Sequence, residues 1–269
     1  MSVIVCRQKR AGHPYFLEEL GVNIYTCQEL CYGIYHHPIL FMDGIMNQNL
    51  VDFIRDEFGM GFVAARLEQR MKSGDKPEEL LFLFMQECDY YTTGEMNKLR
   101  QAVTLLRKLP AYEYAKRKAD YLVKFKQYGK AIAGYQELLE TEDKRADEQF
   151  ASRVWSNLGA CYARIFQFKE AMEAYNRAYE KKRDLSTLER MYHLTLLNPK
   201  LELKERYKSV ISPELMEKWN GDFERAKEEA KDSKEVKKIG RLFERDSVRR
   251  MEGAALLVEE WKQEYRGMA

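Results

Sequence analysis

Trp155-Ser156-Asn157-Leu158-Gly159-Ala160-Cys161-Tyr162, followed by Ala171-Met172-Glu173-Ala174-Tyr175-Asn176-Arg177-Ala178, is the stretch on which the fold turns. Apolar or small residues recur there every three or four positions, the period of a helix with one buried face. Two antiparallel helices approach closely only where small side chains face each other. Gly159, Ala171 and Ala178 supply these, and Tyr162, Phe168 and Tyr175 fill the space around them.

The same arrangement occurs earlier in the chain. Gln127-Tyr128-Gly129-Lys130-Ala131-Ile132 with Tyr135 matches Gln167-Phe168-Lys169-Glu170-Ala171-Met172 with Tyr175, forty residues later. In the second copy Trp155, Leu158, Gly159, Tyr162, Ala171, Tyr175 and Ala178 stand at the offsets W-x2-L-G-x2-Y and A-x3-F-x2-A, and this pattern resembles the tetratricopeptide repeat. The match runs over roughly 112–185, with Leu185 to Leu197 as the first helix of a third, degenerate hairpin. The first copy departs from the family: Ala115 replaces the large first residue and Leu138 the last small one. It carries about six extra residues around Thr141 to Asp147, beyond the usual ~34-residue period. Asp143 and Arg183 stand where the closing proline belongs. Since such arrays need ~3 repeats, flanking helices must cap this one.

The resemblance implies an all-α fold of antiparallel hairpins and a non-catalytic role as a protein-interaction adaptor or scaffold. In that family the first helix of each hairpin lines a concave surface that receives a peptide or helix. The corresponding residues are Lys116, Arg117, Asp120 and Lys124 in the first hairpin, Arg153, Asn157 and Arg164 in the second, and Arg190 from the third. Most are basic, so the implied partner is a protein or peptide that is acidic or carries a free C-terminal carboxylate. Lys116 and Asn157 match two positions of the clamp by which chaperone-binding members hold such a carboxylate. Asp120 stands where that clamp has asparagine, and Met191 where it has arginine.

On the amino-terminal side, residues 1–110 read as a separate small, mostly helical domain. Val3 to Cys6 suggests a short strand; Gln28 to His36, Asn47 to Phe58, Gly61 to Lys72 and Glu78 to Tyr90 read as helices broken by glycine or proline. A further helix begins at Thr93 and is stopped by Pro110. The run Pro14 to Leu20, with Tyr25 and Glu29-Leu30-Cys31-Tyr32, is similar to bacterial proteins that carry tetratricopeptide repeats, a resemblance that implies no activity. Beyond the repeat segment at 111–199, residues 200–269 read as capping helices: Ser212-Pro213 starts one. Another is expected from Lys234 to Tyr265, with Val236, Ile239, Phe243, Met251, Ala255, Val258 and Tyr265 as an apolar stripe covering the open end of the array. On its other side Lys234, Lys238, Arg241, Arg245 and Arg249 recur as a basic stripe.

Composition narrows the function classes. The 45 lysines and arginines nearly balance 43 aspartates and glutamates, so the whole molecule has no charge reason to seek nucleic acid or an anionic membrane. Locally, Lys231 to Arg250 holds eight basic and four acidic residues, which leaves a nucleic-acid-binding or peptide-sensing regulator as one alternative function, the other being a metal- or thiol-dependent enzyme in the N-terminal domain. A DNA-reading segment at Thr26 to Leu50 is disfavoured, because Gly12 to Met60 holds seven acidic residues and only Arg55 as a base. The longest apolar run, Leu80 to Met85, is far short of the ~20 residues of a membrane span. Five cysteines at irregular spacing suit reduced thiols and a cytoplasmic protein. Cys27, Cys31, His36 and His37 cluster without zinc spacing, and core packing explains them better than a metal site or a thiol nucleophile would. No phosphate loop, nucleophile elbow or H-E-x-x-H motif occurs, so neither an enzyme nor a cofactor is expected.

Overall fold

The computed structural model describes residues 10–141, 147–244 and 246–268; the strand expected at Val3 to Cys6 and the residues Asp143 and Arg245 lie outside them. Among the described residues there are fifteen helices and one two-stranded ribbon, so the fold is all-α in the main. The chain divides into two compact units between Phe125 and Lys126.

The first unit opens on a ribbon, β1 (Tyr15–Leu17) antiparallel to β2 (Val22–Ile24), with Tyr15 opposite Ile24. Strands of three residues are too short for a two-residue period to stand out, which is why the sequence did not announce them. Helices α1 (Cys27–His36), α2 (Pro38–Phe41), α3 (Gln48–Asp56), α4 (Gly61–Lys72), α5 (Pro77–Cys88), α6 (Thr93–Arg107) and α7 (Ala111–Lys124) follow. Their starts are chemically marked: Thr26 with Glu29 and Thr92 with Glu95 form capping boxes, and Asn47 caps α3. The apolar run Leu80 to Met85 is buried residue by residue, because α5 packs against α1, α4 and α6 and so presents no dry face to water.

Helix α7, which the sequence assigns to the head of the repeat segment, belongs to the first unit. Its Tyr114 hydroxyl donates to Asp43 Oδ2 (2.7 Å), Lys118 Nζ lies 2.9 Å from the same oxygen, and Tyr121 donates to the His36 carbonyl (3.2 Å). Arg107 of α6 completes the cluster with 3.1 Å to Asp43 Oδ1.

The second unit comprises α8 (Tyr128–Glu140), α9 (Glu148–Arg164), α10 (Phe168–Lys181), α11 (Leu185–Leu197), α12 (Glu205–Lys208), α13 (Pro213–Lys231), α14 (Lys234–Phe243) and α15 (Ser247–Met268). α9 and α10 pack tightly together, with Gly159 under the Tyr175 ring, Ala171 and Ala178 fully buried, and Ser152 Oγ donating to the Ala178 carbonyl at 2.9 Å. Lys126 and Phe166, forty residues apart, both take left-handed backbone angles (φ 57° and 62°) before α8 and α10, so the two turns share one geometry. α11 adds Leu188, Met191 and Leu194 to a core that ends on Tyr207 and Trp219. Ser212 caps α13, as its sequence indicates.

The carboxy-terminal part differs from the expectation of one long helix. α14 ends at Phe243 and α15 begins at Ser247, where Asp246 accepts a hydrogen bond from Arg249 N (3.0 Å) and so caps a new helix. α14 and α15 pack on each other, with Lys238 Nζ 2.6 Å from Glu260 Oε2. Lys234, Lys238 and Arg241 therefore lie on one helix and Arg249 on another. The apolar stripe is also displaced from its expected role: Val236, Phe243, Met251, Val258 and Tyr265 are exposed, whereas Leu242 and Leu257 are buried.

Candidate functional site

α9 sets the geometry. At about 100° per residue, Trp155, Leu158 and Tyr162 fall on one side and Arg153, Ser156, Asn157, Ala160 and Arg164 on the other. The first side is anchored against α8 and α10: Tyr162 Oη accepts from Gln136 Nε2 at 2.9 Å, and the Arg177 guanidinium stacks 4.7 Å over the Trp155 ring. These residues floor a groove of about 340 Å³ rimmed by Glu140, Glu170 and Glu173. The second side is thereby turned outward, and its charge is positive.

Three arginines mark that outward side at separate points, Arg153 and Arg164 eleven residues apart along α9 and Arg190 reaching it from α11. Arg164 Nη1 donates to the Tyr128 hydroxyl at 3.2 Å and its guanidinium lies 5.6 Å over the same ring. Arg190 Nη1, from α11, donates to Ser156 Oγ at 2.7 Å. Arg153 lies 6.0 Å over the Phe150 ring. Each of these contacts is with a neutral group, so the guanidinium charges are oriented but not cancelled. Burial pushes the Tyr175 hydroxyl up to about 12, while Arg190 and Arg164 both pull it in the opposite direction. Both arginines thus act on one phenol at the back of the surface. Asn157 is half-buried on the same side. Planar guanidinium forks held in this way present paired donors that match a carboxylate.

The eight residues that sequence reading selects separate into two sets. Arg153, Asn157 and Arg164 lie on one side of α9, and Arg190 meets that side at Ser156. Lys116, Arg117, Asp120 and Lys124 lie on α7 in the first unit. There Lys116 Nζ is 2.6 Å from Asp120 Oδ2, one helical turn away, and its side chain is only 18% exposed, so its charge is already matched. Lys124 stacks over Tyr121 at 5.0 Å, and Arg117 points to solvent. Met191, the position at which a carboxylate clamp has arginine, is fully buried in the core. Tyr128 and Tyr175 are legible in the sequence as repeat positions but not as partners of the arginines, and Ser156 carries no sequence signal of its own.

Cys27 and Cys31 of α1 are fully buried, and Cys88 at the end of α5 hydrogen-bonds with both. The bond with Cys27 draws the Cys88 thiol down, but the one with Cys31 and burial outweigh it and hold the thiol far above its ordinary range. Burial, and after it the neighbouring His36, lower His37, whose Nδ1 lies 3.1 Å from the Tyr121 hydroxyl. Among the described residues no group of three ligating side chains is placed to hold a metal ion, and no helix is long and apolar enough to cross a membrane.

A scan against protein-family models finds no match, and neither do searches of curated proteins and of solved structures.

Proposed function

We propose that this chain is a non-catalytic adaptor whose second unit, built on tetratricopeptide-like hairpins, holds an acidic protein segment or a free C-terminal carboxylate on the arginine surface of α9 and α11. The observation that carries the reading is the state of Arg153, Arg164 and Arg190, whose contacts are a phenyl ring, a tyrosine and a serine hydroxyl. A solvated surface arginine that serves only solubility gains little from a fixed partner. Arginines held by neutral partners keep their full charge for an incoming anion and lose less side-chain freedom when it binds. The reduced, buried thiols fit work in the cytoplasm. The role of Lys116 and its neighbours in this surface is not required by the proposal, because Asp120 already neutralises Lys116.

The test is affinity capture from the native host with the full chain and with Arg164→Glu plus Arg190→Glu, read by mass spectrometry. Proteins retained by the parent and lost with the double variant, sharing acidic segments or acidic C-termini, support the reading. Identical capture by both proteins would overturn it.

A further inference from the structure

α15 turns inward the side that carries Gly253, Leu257, Glu260 and Glu264. Leu257 is buried, and Glu260 and Glu264 pair with Lys238 (2.6 Å) and Lys126 (3.5 Å). The opposite side carries Val248, Met251, Ala255, Val258 and Lys262, all facing water, with Met251 74% and Val248 64% exposed, and ends at Tyr265, whose ring is partly exposed and whose hydroxyl donates to the Ile165 carbonyl at 3.4 Å. Their spacing alternates between three and four residues, the a and d pattern of a helix that packs lengthwise against another helix. Soluble monomers seldom leave such a stripe open.

We propose that this stripe is an interface with a second copy of the same chain, the two α15 helices running antiparallel. The order of residues is self-complementary about a point between Ala255 and Val258. Pairing about a two-fold axis there brings Val248 against the exposed edge of the Tyr265 ring, Met251 against the aliphatic stem of Lys262, and Ala255 against Val258, each pair occurring twice. Small meets larger in each layer. Charge selects the direction. In the antiparallel pairing Glu252, flanking Met251, comes opposite Arg266 of the other copy with Lys262 close by. In a parallel pairing Lys262 would face its own equivalent inside the seam. Arg266 is available for this, since its contact with Glu259 is long (3.8 Å) and solvent-exposed. The seam is short, so the association belongs in the micromolar range, on the order of 10 μM.

Sedimentation equilibrium of the full chain at concentrations from about 1 to about 200 μM tests this. The parent is expected to show a reversible monomer–dimer equilibrium. Met251→Asp plus Val258→Asp should be monomeric throughout with an unchanged circular-dichroism melt, because both side chains are exposed. Glu252→Arg should weaken the dimer about tenfold, and adding Arg266→Glu should restore it; this pair also decides the matter if the aspartate variant fails to fold. A parent that stays monomeric at the highest concentration, a dimer that survives the aspartate substitutions, or a charge swap that fails to restore association would each overturn the proposal.

Discussion

The Tyr175 ring presses on Gly159 so closely that a Cβ built on the glycine would stand 2.8 Å from both Cδ1 and Cε1. This contact fixes the distance between α9 and α10 and, through it, the surface on which Arg164 and Arg190 sit. Gly159→Ala gains up to about 1 kcal/mol of helix propensity. It also forces a buried ring with no free end to move, and overpacking of this kind costs typically 1–3 kcal/mol. The clash should win. A thermal melt is expected to show a midpoint lowered by several degrees; a midpoint equal to or above that of the parent would mean α10 yields without cost.

Asp43 organises the first unit in a pH-dependent way. Burial opposes its ionised form, but the Tyr114 hydroxyl, Lys118 and Arg107 outweigh it and hold the carboxyl below its ordinary range. A depressed carboxyl pKa contributes stability above the unfolded value, near ~3.9, and loses it as pH falls through the folded value. Asp43→Asn should therefore destabilise the protein by roughly 1–2 kcal/mol near neutral pH. In urea titrations the gap between parent and variant is expected to shrink as pH drops below about 4. A gap that stays constant from neutral to acid pH would contradict the assignment.

The three thiols of α1 and α5 are expected to be unreactive in the folded protein. Cys27 and Cys31 are fully buried, and Cys88 has a strongly raised pKa and hence almost no thiolate at neutral pH. Iodoacetamide labelling followed by mass spectrometry should modify all three slowly in buffer and rapidly in denaturant. Labelling of native Cys88 at the rate of an unhindered thiol would show that the cluster is open.

The parts of the structure that follow local chemistry were readable in the sequence. Ser212-Pro213 starts α13, and the spacing of Trp155, Gly159 and Tyr175 gives the α9–α10 pair. The i, i+3 and i, i+4 relations put Arg153, Asn157 and Arg164 on one side of α9. What escaped the sequence depends on distant partners or on a choice between two local bonds. α7 is held to the first unit by Asp43, seventy-one residues before Tyr114, and an aspartate in a loop carries no sign of that role. The same distance problem hid Tyr128 and Tyr175 as partners of Arg164. Asp246 was passed over as a cap because the apolar period continues across it from α14 into α15. Lys116 looked available for a ligand because the pattern shows its face but not the strength of its pair with Asp120.

The most direct measurement on the arginine surface is the selection of ligands from an unbiased peptide library by the full chain, compared with Arg164→Glu plus Arg190→Glu. Both arginines are exposed, so the double variant should keep the parent's melting behaviour within about 0.5 kcal/mol, as surface substitutions usually do. The proposed function predicts that the parent enriches peptides rich in aspartate and glutamate or dependent on a free C-terminal carboxylate, that their affinity falls with added salt, and that the double variant enriches none of them. Enrichment of neutral or basic peptides, or an acidic set retained equally by the double variant, would contradict it.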